Sequence, residues 1–120
     1  MAKILLAEDD ESMRRFLGTA LVRAGHEVSS FAQGDEAFEC LLEQSFDLLL
    51  TDIVMPGMDG IELARRAADV APGLKIMFIT GFAAVALNAK NEAPLNAKVL
   101  SKPFHLRDLV NQVEQMLAAA

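Results

Sequence analysis

Residues 47–60 read DLLLTDIVMPGMDG, an apolar run followed by an aspartate and then by a loop with one proline and two glycines. The run 47–51 is typical of a buried strand, because its leucines follow one another with no polar residue between them. Asp52 therefore stands where a buried strand ends, and Pro56, Gly57 and Gly60 favour tight turns soon after it. The segment thus carries a carboxylate to the end of a strand and holds it beside a stiff loop.

Strand-like and helix-like patterns alternate along the chain. Apolar runs of strand length are KILLA (3–7), HEVSSFA (26–32), DLLLT (47–51), LKIMFIT (74–80) and AKVLS (97–101). Helical spacing follows each run, at 12–25, 34–45, 60–73, 82–96 and 103–117, and it is weakest in 82–96. Gly25 is predicted to cap the first helix and Pro103 to open the last. Five such pairs predict an α/β domain with a mainly parallel sheet, in which the wholly apolar runs are central and the half-polar HEVSSFA lies at an edge.

Composition narrows the classes of protein to consider. The 120 residues, 52% of them hydrophobic, suffice for one domain, which we expect to span 1–120. A net charge of -6 argues against a nucleic-acid-binding surface. Cys40 is the sole cysteine and is interpreted as a small buried hydrophobe. No apolar stretch approaches the ~18 residues of a membrane span, so we expect a cytoplasmic protein with no nucleic-acid and no membrane partner.

The residues at the ends of four of the five predicted strands are mostly polar. They are Glu8, Asp9 and Asp10 after the first strand, Thr51 and Asp52 at the third, Thr80 and Gly81 at the fourth, and Ser101, Lys102 and Pro103 at the fifth. Ligands of parallel α/β sheets bind beyond the carboxyl ends of the strands, so these groups should converge. Carboxylates brought close together repel one another unless a cation lies between them. Oxygen ligands with open positions for water suit Mg²⁺.

Four motifs at these strand ends resemble one known family. They are ILLAEDD (4–10), TDIVMPGMDG (51–60), FITG (78–81) and LSKPF (100–104). In this combination and order they are similar to the receiver domains of two-component response regulators, over essentially the whole chain. The resemblance implies a flavodoxin-like (βα)5 fold, a doubly wound parallel five-stranded sheet of order 2-1-3-4-5.

The resemblance also implies a site and a chemistry. Asp52 would be the phosphoryl acceptor, with the Thr80 hydroxyl and the Lys102 ammonium contacting the phosphoryl oxygens. The implied Mg²⁺ ligands are the carboxylates of Glu8, Asp9 and Asp52 and the backbone carbonyl of Val54. A carboxylate is a weak nucleophile towards a phosphoryl dianion, so the metal is needed to neutralise charge and align the reactants.

From this family we expect a stand-alone response regulator rather than an enzyme with a substrate of its own. A histidine kinase or histidine phosphotransferase would be the phosphoryl donor. The output would be a protein partner that contacts the face made by the predicted fourth helix, the fifth strand and the last helix. The chain is further similar to single-domain receivers that act as phosphorylation-controlled adaptors of the ClpXP protease. A phosphorelay intermediate and a constitutive binding module are the alternatives, and we expect a monomer or weak dimer.

Two unrelated classes fit the same residues less well. A flavin or nucleotide binder of this fold needs a glycine- and hydroxyl-rich loop after the first strand, whereas AEDDES (7–12) is anionic there. A phosphatase with an aspartyl nucleophile would have a general acid close behind Asp52, whereas Ile53 and Val54 follow it. The receiver interpretation is therefore preferred.

Several charged residues are interpreted as structural. Asp10 and Glu11 are expected to favour the start of the first helix through its dipole. His26 and His105 lack ligand spacing and are interpreted as surface or packing residues. The solvated helix faces are expected to carry Arg14, Arg15, Arg65 and Arg66, although Arg14 or Arg15 could also contact a kinase.

Two positions depart from the family pattern. Val99 stands where many receivers have an aromatic residue that rotates with the signalling threonine. Val54 and Phe82 are apolar, whereas side chains at these positions help to place the hydrolytic water in relatives. We therefore expect an unusual relay of the signal and slow self-dephosphorylation.

Overall fold

A parallel five-stranded sheet forms the centre of the protein. The computed structural model describes residues 2–80, 98–101 and 104–119. The strands are β1 Lys3–Ala7, β2 Glu27–Phe31, β3 Leu48–Asp52, β4 Lys75–Thr80 and β5 Lys98–Ser101. Their order is β2-β1-β3-β4-β5 and all neighbours run parallel, which confirms the predicted fold and the edge position of β2.

The central strands are apolar on both sides because each side of the sheet has its own core. Leu48 and Leu50 of β3 lie in one hydrophobic cluster, whereas Leu49 lies in the other. All three side chains are fully buried. Side chains alternate across a strand, so a continuous apolar run can fill two cores only when both faces are covered.

Helices cover both faces. They are α1 Glu11–Arg23, α2 Gly34–Glu43, α3 Gly60–Val70 and a C-terminal helix, Leu106–Ala118. Leu17 of α1 and Leu109 of the C-terminal helix pack into the cluster with Leu48, whereas Leu41 of α2 and Leu63 of α3 pack into the cluster with Leu49. In the described part of the chain, no helix combines the length and the hydropathy of a membrane span.

Both ends of α1 are capped, and at the first end a side-chain hydrogen bond is present where the sequence predicted only a favourable effect of Asp10 on the helix dipole. The Asp10 carboxylate accepts a hydrogen bond from the Met13 amide at 3.0 Å, so Asp10 is the N-cap of α1. Gly25 follows the end of α1 with a φ of 98°. Only glycine adopts this left-handed backbone readily, so its predicted role in ending the helix is confirmed.

Three predictions of detail need correction. β3 ends at Asp52 rather than at residue 51, so the carboxylate belongs to the last residue of the strand. The last helix begins at Leu106 and not at Pro103, because His105 has an extended backbone (φ -85°, ψ 147°) that precedes the first helical turn. Cys40 is only partly buried, packing at the margin of the core. The helix predicted in 82–96 lies outside the described residues.

Candidate functional site

Glu8 and Asp9 continue directly from β1. The Glu8 amide donates a hydrogen bond to the Phe31 carbonyl at 3.1 Å, which extends the pairing of β1 with β2 by one residue. The Glu8 carboxylate is fully buried and accepts a bond from the Asp10 amide at 3.3 Å. Asp9 is exposed. The end of β1 therefore presents one buried and one exposed carboxylate beyond the sheet.

Asp52 lies at the end of β3, next to β1. Asp52 is only 8% exposed, and its Oδ1 accepts a hydrogen bond from the Val54 amide at 3.4 Å. The Thr51 hydroxyl donates to the Asp52 carbonyl at 2.9 Å. The Ile53 amide donates to the Ile79 carbonyl of β4 at 3.1 Å. Bonds on both sides of Asp52 thus fix the backbone from which the carboxylate extends.

The loop after Asp52 returns to contact its own strand. The Gly60 amide donates to the Ile53 carbonyl at 2.9 Å, so α3 begins against the end of β3. A Cβ atom on Gly60 would collide with the carbonyl oxygen of Asp52. Gly57 has a φ of 73°, which lets the loop turn tightly. Two glycines of the quoted segment are therefore required by backbone geometry rather than by side-chain chemistry.

The three carboxylates form one cluster. Glu8, Asp9 and Asp52 each offer an oxygen, and these oxygens all lie within 4.8 Å of one another. Two of the three residues are buried, so their mutual repulsion is poorly screened by water. The donor set contains only oxygen, which is what Mg²⁺ prefers over the nitrogen and sulfur ligands typical of zinc sites. The residues present therefore fit a magnesium ion.

Some of the remaining predicted site residues are described by the structure, and others lie outside the described residues. Val54 follows Asp52 closely, and its side chain is 53% exposed. Thr80 is the last residue of β4 and pairs with Ser101 of β5, which places its backbone at the same edge of the sheet. Lys102 and Phe82 lie outside the described residues. Val99 is partly buried and packs against the core on the α2 and α3 side.

One contact near the site was missed from the sequence. The Arg14 guanidinium donates a hydrogen bond to the Glu8 carbonyl at 2.9 Å, so interpreting Arg14 as a purely solvated residue was wrong. This bond ties α1 to the chain segment that carries the acidic cluster. The spacing of Arg14 from Glu8 was visible in the sequence, but the direction of its side chain was not.

His26 is a packing residue far from the cluster. It is 8% exposed, accepts a bond from the Ala2 amide at Nδ1, and lies 2.8 Å through Nε2 from the Glu114 carboxylate. A cleft of about 420 Å³ adjoins it, lined also by Asp47 and Lys75. Since β1 and β4 begin beside this cleft, it lies at the opposite end of the sheet from the predicted site residues.

Comparisons with known proteins match these features. The model of the family described as response regulator receiver domain matches residues 4–114. The chain is 68% identical over 120 residues to the response regulator receiver protein CpdR of Brucella abortus (strain 2308), covering 100% of both chains. Three other relatives, 34% to 36% identical, are longer proteins, and the chain spans 24% or less of each.

Solved structures show the same fold. The crystal structure of a response regulator receiver protein from Sinorhizobium medicae has a TM-score of 0.91 at 32% identity, with 98% of this chain and 95% of that chain covered. The response regulator protein TrrA from Thermotoga maritima has a TM-score of 0.86 at 26% identity, with 97% and 99% covered. TrrA was solved in complex with Mg²⁺ and BeF.

Proposed function

The chain belongs to the response regulator receiver family, and from that premise we propose that it accepts a phosphoryl group onto Asp52. The phosphoryl donor would be a histidine kinase or a histidine phosphotransferase, as expected for a two-component response regulator. The chain is a signalling protein whose chemistry serves to change its own surface.

One observation carries this proposal. The carboxylate oxygens of Glu8, Asp9 and Asp52 lie within 4.8 Å of one another at the carboxyl ends of neighbouring strands. Such a concentration of negative charge opposes folding unless a cation binds it. Of the three, Asp52 is the one that is both at a strand end and followed by a turning loop, which leaves it in a position to react.

We propose that Glu8, Asp9, Asp52 and the backbone carbonyl of Val54 hold a magnesium ion. When bound, Mg²⁺ supplies charge neutralisation between the acceptor carboxylate and the phosphoryl group. The short loop from Asp52 to Val54 keeps the acceptor and this carbonyl together. The amide of Val54 restrains the Asp52 carboxylate through its hydrogen bond to Oδ1.

The proposed transfer uses a carboxylate oxygen of Asp52 as the nucleophile. It forms a new oxygen–phosphorus bond while the nitrogen–phosphorus bond of a phosphohistidine donor breaks, and the electron pair leaves with the imidazole. Thr80 and Lys102 are proposed to bond to the phosphoryl oxygens of the product. Thr80 ends β4, which neighbours the acceptor strand β3, and Lys102 follows β5 in the sequence, the strand on the other side of β4.

We further propose that phosphorylation controls binding to a protein partner, and that residues 1–120 act as one receiver domain. The 68% identity to CpdR supports an adaptor role towards the ClpXP protease. The contact face would comprise the segment 82–96, β5 and the C-terminal helix. The alternative, a phosphorelay intermediate, would instead pass the phosphoryl group to a second histidine protein.

Intact mass spectrometry after mixing the protein with acetyl phosphate and Mg²⁺ tests the acceptor role. The expected result is the added mass of one phosphoryl group, which acid or hydroxylamine removes. Asp52→Asn should abolish the addition while preserving the fold, because an amide keeps the shape of the side chain and cannot attack phosphorus. Leaving out Mg²⁺ should also suppress labelling. Undiminished labelling of the Asn variant would refute the assignment.

Binding to purified ClpX tests the adaptor role. Phosphorylated and unphosphorylated forms should differ in affinity by roughly 5- to 150-fold, the usual range of coupling between two sites. The Asn variant serves as a control that stays unphosphorylated under the same conditions. Equal affinities of the two forms would exclude phosphorylation control of this partner and leave acceptance by Asp52 intact.

A further inference from the structure

A surface groove lies between α1 and the outer strand β2. It has a volume of about 450 Å³ and is lined by residues of both elements. Val28 and Ser30 of β2 line one side, and residues of α1 that include Gly18 and Val22 line the other. None of the described residues that line it is a predicted metal ligand or the proposed acceptor Asp52.

The groove is lined by positively charged residues, although the protein as a whole has a negative net charge. Among the described residues three arginines line it, although the net charge of the chain is -6. They are Arg14, Arg15 and Arg23. Arg15 pairs with Glu11 on an exposed helix surface, while Arg23 makes no ion pair within the described residues. A partner that matches this charge must be acidic.

Two further residues of α1 are unexplained by the packing of this domain. Gly18 lies in the middle of the helix, where glycine lowers helix stability relative to alanine. A Cβ atom there would meet nothing within 4 Å, so no contact inside the described structure requires glycine. Val22 is 56% exposed beside it. Together Gly18 and Val22 form an open apolar surface at the bottom of the groove, here called its floor, which the backbone of another polypeptide could approach closely.

β2 offers an unpaired strand edge next to this floor. Among the described strands it pairs with β1 alone. Its sequence EVSSF has no proline and one charged residue, so the usual protections of a sheet edge are weak. Val28 pairs with Ile4, which lies in the core on the α1 side. An added strand would therefore point alternate side chains into the groove.

We propose that the α1–β2 groove binds an extended acidic segment of a partner protein by strand addition to β2. Backbone hydrogen bonds to the free edge would supply affinity, and the groove would select the side chains. Acidic side chains would meet the arginines of α1, and an apolar side chain would pack on Val22 over Gly18. This interaction goes beyond phosphorylation of Asp52 and does not depend on it.

A defined probe tests the groove. ¹⁵N-labelled protein is titrated with a blocked heptapeptide of alternating glutamate and valine, and in parallel with the same peptide carrying lysine for glutamate. We expect the acidic peptide to shift the amides of 18–23 and 27–31, to bind more weakly as salt rises, and to bind more tightly than the lysine peptide.

Matched variants separate charge and apolar contact from general damage. Arg23→Gln should weaken binding about two- to fivefold, the range for an exposed ion pair. Arg65→Gln, on the exposed part of α3, should not. Val22→Ser should weaken binding roughly fivefold from lost apolar burial. Leu42→Ser on α2 removes an equally exposed apolar side chain, at 60% exposure, and should have no effect.

Gly18→Ala distinguishes a binding role from a structural one. The variant should melt at a higher temperature, because alanine favours the helix, and should bind the acidic peptide several-fold more weakly, because its methyl group fills the floor. A variant that is more stable and binds unchanged would overturn the role of Gly18. The whole proposal fails if the acidic peptide binds no better than the lysine peptide, or if the shifted amides lie on another face.

Discussion

Gly60 shows how strongly one residue can be constrained by the site beside it. Its amide bonds to the Ile53 carbonyl, and the space that a side chain would need is taken by the carbonyl oxygen of Asp52. Asp52 itself is held by strand pairing and by the Val54 amide. Backbone contacts therefore help to hold the Asp52 carboxylate in place.

Gly60→Ala should destabilise the protein by about 1 to 3 kcal/mol, the cost of forcing extra volume into a packed place. It should also slow labelling by acetyl phosphate, because the collision would displace the backbone of Asp52. Urea unfolding and timed mass spectrometry measure the two effects. Gly73→Ala is the matched control, since a Cβ there meets no atom of the described residues within 4 Å. Equal stability of the two variants would contradict the contact at Gly60.

Val54 is expected to affect how long Asp52, the proposed acceptor, stays phosphorylated. Its exposed side chain lies two residues after the acceptor and cannot orient water by a hydrogen bond. Phosphorylated protein should therefore lose its phosphoryl group slowly without help, and Val54→Asn should speed the loss because an amide can hold the attacking water. The decay of mass-labelled protein after removal of the donor measures both rates. Rapid decay of the unmodified chain would contradict this reasoning.

The helices adjoining the site begin in the same way. Asp10 caps α1 and Asp59 caps α3, each by accepting a hydrogen bond from the amide three residues on. In the sequence, Asp10 comes directly after Glu8 and Asp9 of the acidic cluster, and Asp59 ends the loop that follows Asp52. The pattern of aspartates after the strands thus serves two purposes, since some carboxylates form the cluster and others fix the helices that frame it.

Asp59→Ala should lower the free energy of unfolding by about 1 kcal/mol, because the Glu62 amide at 2.8 Å loses its acceptor. Asp69→Ala removes the same charge near the end of α3, where the helix dipole disfavours an acid, and should be neutral or slightly stabilising. Chemical denaturation of both variants gives the comparison. A similar loss in each would show that charge, rather than capping, accounts for the effect.

If Asp52 accepts a phosphoryl group as proposed, the molecule has to convert this local change into a change of its surface. Val99 is stiff about its first side-chain torsion and packs against the core on the α2 and α3 side, so it cannot serve as a rotating aromatic switch. Thr80 ends β4 and Lys102 follows β5, so a phosphoryl group that attracts both would displace the segments attached to them. We expect the signal to pass through backbone shifts near Gly81 and repacking of the segment 82–96.

Amide hydrogen exchange with and without beryllofluoride and Mg²⁺ measures this relay. Residues 81–106 should change their exchange rates, whereas the strands β1 and β3 away from the cluster should not. Asp52→Asn, treated with the same reagents, is the control for non-specific effects. A response confined to another surface would show that the proposed output face is wrong.

The amino-acid sequence by itself predicted the parallel sheet, the burial of both its faces and the cluster of carboxylates. Uninterrupted apolar runs such as that before Asp52 require burial on both sides. Parallel strands bring their carboxyl ends to one edge, so the acids at the ends of β1 and β3 had to meet. Other features depended on the path of the folded chain. The direction of single side chains decides the hydrogen bond of Arg14 to the Glu8 carbonyl and the contact of His26 with Glu114, 88 residues away. The distance between backbones decides that a side chain at Gly60 would collide with the carbonyl oxygen of Asp52. Residue patterns record which face is apolar, but they do not record which polar atoms come within 3 Å of one another, because that depends on how the packed elements sit together.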